Sequence, residues 1–179
     1  MTWVRRLWDG YEALFARLIG LRPVGPGSLL RVRTVTYSGR PLGSGERTLA
    51  PGARVLEIHL DNRLIGDLGA TGTEAAFRIR QRLRRELPLL HQAMHDAPEP
   101  IAGVVGTSLL AFGARGLGFH VERLPSSPGR RWLAVYMRWL ARLYRPAGAG
   151  EQQRGPHRGR SDIFVTWVTA GELDRLVQP

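Results

Sequence analysis

"ARVLEIHLDNRLI", residues 53–65, decides how the chain is to be read. Leu56, Ile58 and Leu60 alternate with Glu57, His59 and Asp61, the two-residue period of a strand that buries one face and lines the other with titratable groups. Asn62 and Arg63 carry the polar face into the turn that follows. A solvated side of an antiparallel strand alternates in this way for burial alone. A carboxylate beside an imidazole is also the raw material of general acid–base chemistry, because histidine is the side chain that ordinarily titrates nearest neutrality. Glu57, His59, Asp61, Asn62 and Arg63 are therefore a candidate ligand face.

Upstream, "SLLRVRTVTY" (28–37) reads as a second strand and "SGRPLGSGERTLAPGA" (38–53) as a long mobile loop, so that the two strands pair antiparallel. Before them, Trp3, Val4, Leu7, Trp8, Tyr11, Leu14, Phe15, Leu18 and Ile19 fall on one half of a helical wheel, with Arg5, Arg6, Asp9, Glu12 and Arg17 opposite. This pattern predicts a helix docked on the core. Asp9 and Glu12 interrupt its apolar run, which argues against a signal peptide.

Downstream, "TGTEAAFRIRQRLRRE" (71–86) opens with Thr71 and Glu74 in capping-box spacing, and Pro88 should end this helix or start a second short one through His95. "IAGVVGTSLLAFGARGLGFHVERL" (101–124) reads as strand, short helix and strand, stopped by Gly116 and Gly118 and just long enough for a parallel crossover. Ser127 and Pro128 start a helix over 128–145, and 145–161 is a second mobile loop. "DIFVTWV" is a last strand and "TAGELDRLV" a helix with Thr169 and Glu172 as its capping box. Hairpin and crossover connections together predict an α+β fold: one domain, with a mixed sheet of about five strands covered by helices.

The chain has 179 residues, no cysteine and 26 basic residues, all arginine, against 15 acids. The length suits one domain with a real core, and the absence of cysteine excludes disulfides and thiolate metal sites. No apolar run approaches the ~20 residues of a membrane span, which predicts a cytoplasmic protein, at most peripheral at the inner face of the membrane. Nine arginines against Glu151 put a charge of +8 in residues 123–160, out of +11 for the whole chain.

Three further groups of residues suggest chemistry. Gly106, Thr107 and Ser108 stand where a strand turns into a helix, either an ordinary cap or an anion-binding turn. Arg131, Arg138, Arg142 and Arg145 form a basic stripe opposite an aromatic face on helix 128–145, suited to anionic lipid or to packing on the sheet. His91 and His95 share a helical face next to Asp96, but the sequence offers no third metal ligand, so no metal and no cofactor are expected.

"PGARVLEIHLDNRL", "IAGVVGTSLLAFGARGLGF" and "FVTWVTAGEL" together resemble the YkoP-like domain family, small bacterial proteins and domains also found attached to polysaccharide deacetylases. The resemblance implies that His59, Asn62, the Gly106–Thr107 turn and "RGLGF" are the family's positions. Ala53–Arg54 departs from the Gly-Asp-like turn expected there. No activity comes with the resemblance. Together with the arginines it suggests a non-catalytic accessory or binding domain near the cell envelope, acting on a saccharide or an anionic lipid-linked ligand. Two alternatives are a small hydrolase or transferase using His59, Glu57 or Asp61, and Thr107 or Ser108, and nonspecific binding of nucleic acid as a polyanion.

Overall fold

The computed structural model describes residues 2–45, 47–67, 72–108, 111–125, 135 and 163–178. In chain order these form α1 (Thr2–Leu18), β1 (Arg22–Pro23), β2 (Leu30–Thr36), β3 (Leu42–Ser44), β4 (Arg47–Leu49) and β5 (Arg54–Leu60). There follow α2 (Asn62–Asp67), α3 (Gly72–His95), β6 (Gly103–Ser108), α4 (Ala111–Arg115), β7 (His120–Arg123), β8 (Phe164–Thr169) and α5 (Ala170–Val177). The α+β architecture is as expected: helices and a mixed six-stranded sheet in the order β1-β2-β5-β6-β8-β7, plus the small β3–β4 sheet. None of the described helices is long and apolar enough to cross a membrane.

β2 and β5 pair antiparallel over their whole length, with Val32 opposite Ile58 and Arg31 opposite His59. β5 and β6 run parallel, Ile58 beside Gly106, and the crossover between them is α2 and α3. The sequence "IAGVVGTSLLAFGARGLGFHVERL" does fold as strand, helix and strand, yet β6 and β7 are not neighbours. Each lies antiparallel to β8, which is inserted between them.

The strand alternation places Leu30, Val32, Leu56, Val104 and Val168 on one sheet face, where Leu87, Leu90 and Met94 of α3 and Leu173 of α5 complete the main core. On the other face the connection 38–53 carries a structured element where the sequence suggested a mobile loop. Leu42 and Leu49, cross-strand partners in the β3–β4 hairpin, are fully buried against Val55, Val105, Val165 and Trp167. Two isolated leucines among glycines and prolines give no strand period to read, so only the tertiary contact reveals the hairpin.

Two expectations are corrected. Pro88 neither ends nor divides α3, which continues to His95. The proline is exposed, while Leu87 and Leu90 on either side are buried and hold the helix to the sheet. In α1, Trp3, Tyr11, Leu14, Phe15 and Leu18 are exposed, Trp3 at 69% and Leu18 at 76%, whereas Ala16 on the opposite side is buried. The wheel specifies the apolar stripe but not what covers it.

β6 depends on two glycines for close approach. A methyl group on Gly103 would stand 2.3 Å from the Val168 carbonyl oxygen, and one on Gly106 would stand 2.6 Å from Cγ1 of Ile58. The first obstacle is backbone inside a ladder; the second is a side chain that can change rotamer. Gly106→Ala should therefore cost about 1–3 kcal/mol and Gly103→Ala distinctly more, as overpacking the backbone leaves less room to relax. Urea unfolding of both variants checks the order.

Candidate functional site

The polar side of β5 is continued sideways by its neighbours. Arg31 and Arg33 of β2 stand opposite His59 and Glu57, and Glu57 is in turn beside Val105 of β6. Arg33 Nε donates to Glu57 Oε2 at 2.6 Å. His59 Nε2 lies 3.3 Å from Glu57 Oε1, without the alignment of a hydrogen bond, and that nitrogen is shut off from solvent. The His59 imidazole, with Arg33 behind it, holds the Glu57 carboxyl below its ordinary range against a burial effect in the opposite direction.

Asp61, just past the end of β5, is buried at 7% exposure and caps α2, with Oδ1 accepting from the backbone N–H groups of Arg63 and Leu64. Its Oδ2 accepts from both Nε and Nη2 of Arg31, at 3.1 and 2.5 Å. Asp61 is thus fully committed to local structure. Asn62 is the first residue of α2 and half-buried, and the Arg63 side chain is exposed.

Gly106, Thr107 and Ser108 are the last residues of β6, with Gly106 paired to Ile58 on one side and Thr166 on the other, and Thr107 and Ser108 paired to Val165 and Phe164 of β8. Thr107 is exposed and follows Gly106 by one residue on β6, as His59 follows Ile58 on β5. His120 does not join them. It is on β7, stacked at 4.3 Å on Trp167, with Val105 and Trp167 separating it from Glu57. Its Nε2 meets Glu172 Oε1 at 2.9 Å. Burial would raise the Glu172 carboxyl, but His120 and the backbone and hydroxyl of Thr169 outweigh it and hold the group low. Arg131, Arg138, Arg142 and Arg145 lie outside the described residues.

A second polar surface lies on α3. Arg78, Gln81, Arg82 and Arg85 occupy one side of the helix and, with the loop Pro26–Ser28 and Leu89, line a cleft of about 440 Å³. Arg82 donates to the Gly27 carbonyl and contacts Glu86, Arg78 pairs with Glu74, and Arg85 has no ion pair or hydrogen bond among the described residues. Glu86 fixes one wall, since its two carboxylate oxygens accept from the backbone N–H groups of Leu29 and Leu30, each at 2.9 Å. The signal is present in "RIRQRLRRE", five arginines in nine residues, beside the larger net charge of 123–160.

Residues 1–166 match the YkoP domain family. The chain belongs to that family. No curated protein and no solved structure matches this YkoP domain.

The low Glu57 carboxyl has a pH consequence. A group held below its unfolded value stabilises the fold above the ordinary carboxylate pKa of about 4.3, and that contribution is lost as pH falls through the folded value. Glu57→Gln should therefore be less stable than wild type at neutral pH, with the gap closing as the pH is lowered below about 4. Urea midpoints over a pH series measure the gap.

Proposed function

We propose that this YkoP domain is a non-catalytic binding domain for an anionic ligand of the bacterial envelope, a saccharide or lipid-linked saccharide carrying phosphate or carboxylate. The observation that carries this reading is the cleft of Arg78, Arg82 and Arg85. Guanidinium groups recognise planar or tetrahedral oxyanions through forked donors, and Gln81 and the Gly27 carbonyl add partners for hydroxyls. Pro26 and Leu89 supply an apolar wall against which a sugar ring can lie. The resemblance to domains attached to polysaccharide deacetylases supports the envelope as the setting. The exposed apolar stripe of α1 supports peripheral contact with the inner face of the membrane, where an amphipathic helix lies in the headgroup region and each nearby arginine adds about 1 kcal/mol.

A second reading, a hydrolase or transferase at His59, is favoured by the β5–β6 register, which ends at Ile58–Gly106 with His59 and Thr107 the next residue on each strand, and by Glu57 at 3.3 Å from the imidazole. On the described face the carboxylates are engaged by Arg33 and Arg31, which suits a charge-balanced surface better than a free acid–base pair.

Vesicle sedimentation tests the binding reading. Wild type should sediment with phosphatidylglycerol vesicles and not with phosphatidylcholine, weakening as salt shortens the Debye length below about 8 Å. Arg78→Ala/Arg85→Ala should lose roughly tenfold or more in affinity, on the scale of one or two charge-assisted hydrogen bonds. A folded double variant that binds as wild type does would remove the cleft from the function.

A further inference from the structure

The histidine pair for which the sequence offers no third ligand acquires one in the fold. α5 packs beside the end of α3, and Asp174 Oδ1 comes to 2.9 Å from His91 Nε2 and 3.2 Å from His95 Nε2. The two Nε2 atoms are 3.1 Å apart. Three ligand atoms from residues 91, 95 and 174 thus converge on one point. We propose that His91, His95 and Asp174 form a binding site for a divalent transition metal, zinc before others. This site lies on a different side of α3 from the arginine cleft and does not depend on the proposed function.

In the tautomer with both imidazole protons on Nδ1, the two Nε2 lone pairs and the Asp174 carboxylate oxygen face one point, and a divalent cation there satisfies all three at once. The spacing also fits: ligands on a tetrahedral zinc with bonds of about 2.0–2.1 Å stand roughly 3.3–3.4 Å apart, a few tenths beyond the observed edges. Small side-chain rotations supply the difference.

The trio is held from behind. Each ligand follows a buried residue of the main core: Leu90 before His91, Met94 before His95, Leu173 before Asp174. The capping box of Thr169 and Glu172 fixes the first turn of α5, so Asp174 cannot drift relative to α3 without opening the core. Two imidazoles and one carboxylate suit zinc in preference to calcium or magnesium, which take oxygen ligands. His95 is 57% exposed and Asp174 37%, so the remaining coordination position faces solvent and is open to water or to an anionic oxygen of a ligand. A narrow cleft of about 220 Å³, lined by Leu87 and Pro88 of α3 and Val177 of α5, begins one helical turn away along both helices.

Isothermal titration of the EDTA-treated, dialysed protein with zinc chloride tests the site, with cobalt(II) as a spectroscopic stand-in. One equivalent should bind with a Kd of about 1 μM or tighter, the cobalt form should show the visible absorption of a four-coordinate site, and zinc should raise the Tm. His95→Ala, at an exposed position, should remain folded by circular dichroism and weaken binding at least tenfold, as should Asp174→Asn. Arg85→Ala should bind zinc unchanged, even if it abolishes anion binding. Absence of saturable 1:1 binding, or folded His95→Ala and Asp174→Asn variants that bind as tightly as wild type, would overturn the proposal.

Discussion

Because β5 and β6 run side by side in the same direction, the chain must travel the length of the sheet between Leu60 and Gly103 before it can pair again. The return path is α2 and α3. This one pairing decides that a long helix lies on the Leu56 face, that its apolar side meets Leu30, Val32, Val104 and Val168, and that its two flanks remain outside. One flank carries the arginines of the cleft and the other carries His91 and His95. Gly103 and Gly106 make the pairing close enough to hold, since a side chain at either position meets a neighbouring strand.

Acids are scarce in this chain, 15 against 26 arginines, and the buried or nearly buried ones serve as ties between elements. Asp61 joins β2 to α2 through Arg31, and Glu86 joins α3 to the start of β2 through two backbone N–H groups. Glu172 gathers His120 of β7, the cap of α5 and, at 3.5 Å, Arg47 of the hairpin. The chain as a whole keeps a net charge of +11. A strong positive field of this kind speeds encounter with anions and fades with salt.

Much of the fold was legible because burial writes itself into periodicity. The alternation in β5, the antiparallel partner in β2, the cap of α5 at Thr169 and Glu172, and the left-handed glycine after α4 all have local chemical causes. What the sequence hid are long-range juxtapositions. Leu42 and Leu49 look like loop residues until Trp167 is placed beneath them. Asp174 looks like an ordinary helix-surface acid until α5 is set against α3, 83 residues earlier in the chain at His91. The reverse also occurred: Asp61 shares a sequence period with Glu57 and His59 but is committed as a helix cap, because the strand ends at Leu60 and the next helix begins at Asn62.

The insertion of β8 between β6 and β7 bears on how the molecule can assemble as it is synthesised. An emerging chain can form the β2–β5 hairpin pair early, and β6 can add to it once α3 has crossed. β7 has no described sheet neighbour until residues 163–169 arrive, and the inner edge of β6 stays open for the same interval. Loop closure over that distance is slow relative to local pairing, so the nascent domain presents an unsatisfied, apolar strand edge to its surroundings for longer than a simple meander would. Truncation before Ile163 therefore removes the strand that seals the sheet, and such fragments carry the exposed edges that chaperones and aggregates recognise.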